Sequence, residues 1–272
     1  MLAETRRRQL VDLIARRGFA TLDELVRALG VSESTVRRDL EALDSAGAVK
    51  RTHGGAVCSV EVRGMPALDD RATAQAPQKR AIGRATADRI DDGETVLLDG
   101  GTTTLEVARA LAGRPLQVVT NSLPIAQLLT TSKETDLILI GGYISPRTGV
   151  AMGPLAIATM ESIRVRKAIL GAGGIVAEGV YNSNSLLVET ERQMMRCGQE
   201  VWLVADHSKF GRLALSRLCS LDEVDAVVTD PALPDRCRDW LHAAGVALHV
   251  AEAVPEDGVA VDNGRGPRTD AP

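Results

Sequence analysis

Two groups of residues have types and spacings that could do chemistry. The first lies in GVSESTVRRDL, where Ser32, Ser34, Thr35, Arg37 and Arg38 follow the glycine turn at Gly30. Hydroxyls and guanidiniums at the start of a helix can meet base edges and phosphates together, because the unpaired N–H groups there also favour anions. Shortly after, AVKRTHGGAV brings Lys50, Arg51 and His53 to a Gly54-Gly55 turn. Such a basic hairpin can grip a phosphate backbone, which supplies affinity rather than sequence information. The second group starts at Asp99-Gly100-Gly101-Thr102-Thr103-Thr104, at the junction of an apolar run and a helical one. Small residues let backbone N–H groups approach a ligand, and the threonine hydroxyls add donors. The helix start favours negative charge, so a phosphate fits. It is not a Walker loop, whose spacing and lysine are missing, and taken alone it is as good a structural cap as a ligand site. Further polar residues end the later apolar runs: Asn121, Gly142, Gly171–Gly174 and Asp206-His207-Ser208-Lys209. Lys209 is the cation in these loops suited to a phosphate or carboxylate. Glu189 falls on a helix, where an ordinary exposed acid is an equally good reading.

The elements that must position the first group are three helices and a hairpin. Leu10, Leu13 and Ile14 form one stripe of a helix from Glu4 to Arg17 that stops at Gly18. Thr21 and Glu24 make a capping box for a second helix, whose Leu22, Leu25, Val26 and Leu29 share a face. Gly30, Val31 and Ser32 are a three-residue turn into a third helix over 33–46, with Val36, Leu40 and Leu43 inward. Asp39, beside two arginines, is expected to orient them or cap neighbouring groups. A plain helical bundle with solvated arginines is the competing reading. The order of capping box, short turn, caps and wing favours a winged helix-turn-helix.

The second group sits on a different architecture. A helix opens at Pro77, and seven apolar runs then alternate with helices: TVLLD, LQVVTN, DLILIGG, KAILGAGG, EVWLVAD, DAVVTD and VALHVA. Repeated βα units with near-continuous Val/Leu/Ile strands imply a mostly parallel α/β sheet covered on both faces. Ligands of such sheets bind beyond the strands' carboxyl ends. The domains expected are therefore 1–57, a winged helix-turn-helix; 58–76, a linker; 77–253, an α/β effector-binding domain; and 254–272, a disordered tail of Gly, Pro and acidic residues.

Composition narrows the classes. With aromatics at only 2%, the core must rest on Leu, Val, Ile and Ala. The net charge is −4, yet residues 1–57 hold ten Lys/Arg against eight Asp/Glu, so nucleic-acid binding falls to the head alone. Cys58, Cys197, Cys219 and Cys237 are scattered, with no Cys/His cluster at metal-ligand spacing. Reduced thiols, no metal and no cofactor are expected. No apolar run is long enough to span a membrane and the first residues lack a secretory core, so a cytoplasmic protein without membrane contact is expected.

VSESTVRRDLEAL followed by KRTHGGAV resembles the DeoR family of bacterial transcription regulators, and the resemblance continues through DGGTTT, VTNS, IGG, GAGGI, ETER and ADHSKFG, over about residues 1 to 250. It places Ser32, Ser34, Thr35, Arg37, Arg38, Asp39 and Leu40 on the recognition-helix pattern, and Arg51, His53, Gly54 and Gly55 on the wing. It implies an effector domain resembling sugar-phosphate isomerases, with Asp99, Gly101, Thr102, Thr103, Thr104, Asn121, Gly142, Glu189, Asp206 and Lys209 at its pocket. Arg166, Ile169 and His207 depart from the family's pattern. The implied partners are double-stranded operator DNA, a phosphorylated sugar effector and further copies of the chain in a dimer or tetramer. The implied function is repression of carbohydrate-metabolism genes. The alternative is an isomerase-like enzyme with a DNA-binding head, using Glu189 or Asp99 as general base and Lys209 as electrophile.

Overall fold

The structure is a computed structural model that describes residues 3–17, 19–52, 54–58 and 68–252. His53 and the segment 254–272 lie outside the described residues.

The head comprises α1 (Ala3–Arg17), β1 (Phe19–Thr21), α2 (Leu22–Leu29), α3 (Glu33–Ser45), β2 (Val49–Thr52) and β3 (Gly55–Cys58). The capping box forms: the Glu24 N–H donates to Thr21 Oγ1 at 3.2 Å and the Thr21 N–H to Glu24 Oε2 at 2.8 Å. Gly30 ends α2 in the left-handed conformation, φ 64°, which glycine adopts without steric cost. The Ser32 side chain caps α3. Leu10, Ile14, Leu25, Val36, Leu40 and Val49 bury together as the head's core. The wing has a third strand that the alternation of apolar residues did not reveal. β1 pairs antiparallel with β3, giving the order β1-β3-β2. A Cβ at Gly55 would stand 2.1 Å from the Ala20 carbonyl oxygen, so this close approach requires glycine.

The body continues with α4 (Leu68–Thr73), α5 (Ala76–Ala87), β4 (Thr95–Leu98), α6 (Thr102–Leu111), β5 (Gln117–Thr120), α7 (Leu123–Leu129) and β6 (Asp136–Leu139). A short hairpin of β7 (Tyr143–Ile144) and β8 (Ala151–Met152) precedes α8 (Pro154–Met160) and β9 (Val165–Leu170). Then come β10 (Gly174–Val176), β11 (Gly179–Asn182), α9 (Ser185–Cys197), β12 (Gly198–Val204), β13 (Ser216–Cys219), β14 (Ala226–Thr229), α10 (Asp235–Ala243) and β15 (Ala247–Val250). The seven apolar runs become one parallel sheet, ordered β15-β14-β12-β9-β4-β5-β6.

Both faces of that sheet are apolar because alternate residues of each strand enter different cores. Leu97, Val119, Ala168, Leu203 and Val227 pack on one side; Val96, Leu98, Val118, Ile169, Val204 and Val228 pack on the other. At roughly 25 cal/mol per Å² of apolar surface removed from water, these two layers dominate the stability of the body. The antiparallel sheet β10-β11-β13 and the β7-β8 hairpin are additions that short, mixed-polarity segments did not announce.

The strand order decides where a ligand can sit. From β4 the chain moves through β5 to β6 at one edge, then returns to β9 on the other side of β4. Connections leave β4 and β9 in opposite directions, so a crevice opens past their carboxyl ends. Asp99 and Gly171 occupy those two ends, and the Asp99 N–H donates to the Ile169 carbonyl at 3.0 Å.

Candidate functional site

A cavity of about 40 Å³ lies in this crevice, lined by Arg71, Asp99, Gly101, Thr102, Thr103, Gly171, Asn182, Glu191 and Lys209 among others. Thr102 and Thr103 are the first residues of α6, so its unpaired N–H groups and positive dipole end face the same space. Gly100 must be glycine, since a Cβ there would lie 2.2 Å from Val150 Cγ2. Asp206 accepts from the Ser208 N–H at 3.0 Å, which fixes the short 3-10 turn His207–Lys209 and with it the root of Lys209.

Two buried acids share the cavity. Burial raises the Asp99 carboxyl, partly offset by the N–H groups of Gly100 and Gly171 and by the charge of Arg71. Burial, then the charge of Asp99, holds Glu191 well above the ordinary carboxylate range, against a donation from Asn182. Asn182 Nδ2 donates to Glu191 Oε1 at 2.6 Å. Oε2 makes no hydrogen bond within the described residues. The cations respond oppositely: burial lowers both Arg71 and Lys209, with Asp99 opposing the shift for Arg71 and Asp206 for Lys209. The cavity therefore combines a helix start and two desolvated cations with oxygens able to exchange hydrogen bonds with hydroxyls.

Of the pocket residues read from the sequence, Asp99, Gly101, Thr102, Thr103 and Lys209 line this cavity. The others do not. Thr104 Oγ1 accepts from the Gly101 N–H at 2.7 Å and serves as a cap. Asn121 is buried, its Nδ2 donating to the Ala151 carbonyl at 2.8 Å, where it ties β5 to β8. Glu189 points to the outer side of α9, paired with Arg192 at 2.6 Å. Gly142 borders a different cleft, of about 560 Å³, between the wing residues Thr52 and Gly54 and the body residues Tyr143, Ile144, Met152 and Pro154. Arg71, Asn182 and Glu191 were not anticipated. Glu191 was findable: Leu187 and Glu191 are i, i+4, whereas Glu189, Arg192 and Arg196 lie at i, i+3, i+7 on the opposite face. Among the departures, Arg166 pairs with Glu200 at 2.6 Å and Ile169 belongs to the core. His207 Nδ1 meets Asp230 Oδ1 at 2.9 Å.

The head presents its polar face as expected, with one change. Ser32, Ser34, Arg37 and Arg38 are exposed and Thr35 is half-buried. The three hydroxyls form a chain, Ser32 Oγ lying 3.0 Å from Ser34 Oγ and 2.8 Å from Thr35 Oγ1. Arg37 is held by Glu33, Nη2 to Oε1 at 2.6 Å. On the wing, Lys50 pairs with Asp44 at 3.3 Å and Arg51 with Glu41 at 3.5 Å. Asp39 does not orient Arg37 or Arg38. It is buried and receives Arg6 Nε at 2.5 Å and Arg7 Nε at 3.1 Å, so it clamps α1 onto α3. Its carboxyl is held low by these two arginines against the opposing effect of desolvation.

Head and body touch through an apolar seam. Phe19 of β1 packs against Val150, Met152, Leu186 and Leu187, with Tyr143 alongside. Leu187 also lines the cavity, so one side chain of α9 faces both the cavity and the head.

A winged helix-turn-helix joined to a parallel α/β body with a polar cavity at its switch point defines a DNA-binding regulator with a second, α/β domain. Residues 74–231 match the DeoR C terminal sensor domain and residues 6–61 the DeoR-like helix-turn-helix domain. The chain belongs to the DeoR family. It is 36% identical over 227 residues to the glycerol-3-phosphate regulon repressor of Escherichia coli, covering 83% of this chain and 90% of that one. It is also 36% identical over 230 residues to the transcriptional repressor AccR of Agrobacterium fabrum, covering 84% and 89%. Among solved structures, ribose 5-phosphate isomerase A of Neisseria gonorrhoeae overlaps 52% of this chain and 54% of its own at 17% identity and a TM-score of 0.37. Relatives matched along most of their length are transcriptional regulators, and the chain is a DNA-binding regulator of that kind rather than an enzyme.

Proposed function

We propose that the protein represses genes of carbohydrate metabolism by binding operator DNA through α3 and the wing, and that a phosphorylated sugar entering the Asp99 cavity changes that binding. The observation that carries the reading is the cavity itself: the start of α6, Arg71 and Lys209 supply positive potential around Thr102 and Thr103, while Asp99, Asn182 and Glu191 offer oxygens and an amide to hydroxyls. That set suits an anion carrying a polyol. On the head, Ser34, Thr35, Arg37 and Arg38 read bases and nearby phosphates, and Lys50 and Arg51 hold the backbone. A ligand alters operator affinity only by preferring one arrangement of head and body, and the Phe19 seam against Leu186 and Leu187 is where head and body meet.

The active form is a homo-oligomer, because helix-turn-helix proteins read paired half-sites. Edge strand β6 supports this: Ile138 and Leu139 are exposed, although parallel strands are usually covered on both faces. Among the described residues no helix is long and apolar enough to cross a membrane, and a cytoplasmic regulator is the reading that accompanies operator binding. The test is a thermal-shift screen of phosphorylated sugars with and without operator DNA. At least one sugar phosphate should stabilise the protein while its unphosphorylated counterpart does not. Equal stabilisation by both would overturn the phosphate reading.

A further inference from the structure

One wall of the cavity comes from the segment that leads in from the head. Arg71 lies on α4, and only residues 59–67 separate α4 from wing strand β3 in the chain. Its Nε and Nη2 are buried and make no hydrogen bond within the described residues, and Asp99 Oδ1 and Glu191 Oε2 are unpartnered beside the same cavity. Buried guanidinium N–H groups left unpaired are costly to keep unless an anion offsets them. Asp99 is the opposite charge that acts on it, yet the two form no hydrogen-bonded pair.

The carbonyl end of α4 is tied to α5. Lys79, 3% exposed on α5, donates from Nζ to the carbonyl oxygens of Arg71 and Ala74, each at 2.5 Å. An ammonium closing the carbonyl end of a helix is favourable in itself. Gln75 then reverses the chain into α5 with φ 55°, the one non-glycine residue at positive φ among the described residues. A space of about 40 Å³ holds a few waters, far below the roughly 300 Å³ at which small-molecule sites begin. A phosphate ester therefore enters only as a wall moves. α4 is the short wall, six residues whose carbonyl end Lys79 ties to α5.

We propose that Arg71 is an anion-gripping residue of the effector cavity and that, through α4 and its Lys79 clasp, it makes occupancy of the cavity felt in the segment leading back to the wing. This rests on the effector reading above and adds to it a residue and a mechanical link. Arg71 suits the task better than a lysine, since its planar fork can meet two oxygens of a phosphate at once.

The test uses the full chain with ribose 5-phosphate, glucose 6-phosphate and inorganic phosphate as probes, read by thermal shift and by fluorescence anisotropy on a DNA fragment the protein selects from random sequence. For the best sugar phosphate, Arg71→Ala should raise the stabilisation midpoint by about tenfold or more, with Arg71→Lys between it and wild type. Affinity of Arg71→Ala for DNA without sugar phosphate should stay within about twofold of wild type, since Arg71 lines the cavity of the body. Lys79→Met keeps every cavity side chain and separates grip from transmission. It should bind the sugar phosphate with a near wild-type midpoint while DNA affinity no longer responds. A wild-type midpoint in Arg71→Ala would overturn the grip, and a full DNA response in Lys79→Met the link. If none of the probes stabilises wild type, the effector reading itself fails and this inference with it.

Discussion

Arg37 and Lys209 carry the division of labour at the scale of single residues. Arg37 is exposed on α3 and held by Glu33, so Arg37→Ala should weaken operator binding by about tenfold, the worth of one good base or phosphate contact, and leave sugar-phosphate stabilisation unchanged. Lys209→Ala should do the reverse, which the same pair of assays reads. Glu191 makes a pH prediction with a definite sign. Its carboxyl is raised in the folded state by burial and by Asp99, so its contribution to stability is complete below the unfolded carboxyl's range and is lost as pH rises through the folded value. Between those two values each pH unit costs about 1.4 kcal/mol, or about 3 °C in Tm for a chain of this size, and above the folded value nothing further is lost. Glu191→Gln keeps the shape without the titrating proton, and should melt with a flatter dependence on pH as pH rises above the unfolded carboxyl's range. A parallel pair of curves would mean that Glu191 is already charged.

Among the elements, those with local signals were legible and those without were not. The capping box, the Gly30 stop and the apolar stripes are all encoded within a few neighbouring residues, so α2 and α3 follow directly from residue types. The seven parallel strands were legible because strands buried on both faces must be apolar almost throughout. β1 was not, since three residues pairing with β3 depend on a contact 34 or more positions away. α4 lies in a stretch without sustained periodicity, and Arg71 was lost with it. On α9 the acid expected at the cavity, Glu189, is two residues from the one that lines it, a rotation of about 200° around the helix. Transmission belongs to this scale as well. Phe19→Ala removes the head's aromatic from the seam with Leu186 and Leu187. It should preserve the sugar-phosphate midpoint and DNA binding to within a few fold, while the change in DNA affinity on adding sugar phosphate shrinks. A response of wild-type size would show that the seam is passive packing.

For the whole molecule, the charge distribution sets expectations for association. The body is acidic and the head only slightly basic, so operator binding depends on where the cations sit and should fall steeply as salt rises, with a slope reporting the number of phosphates met. Exposed Ile138 and Leu139 on edge strand β6 suit a second copy, and light scattering of Leu139→Glu should give a smaller assembly than wild type with the melting temperature of the monomer little changed. The central claim joins both halves of the chain, and one titration tests it most directly: fluorescence anisotropy of a selected operator fragment against the intact protein, with a sugar phosphate or its unphosphorylated counterpart present. The account predicts tight, salt-sensitive binding that at least one phosphorylated sugar shifts by about tenfold, the usual size of a coupling between two sites, and that the unphosphorylated sugar leaves alone. Operator affinity that is the same with every sugar phosphate and with none would contradict it.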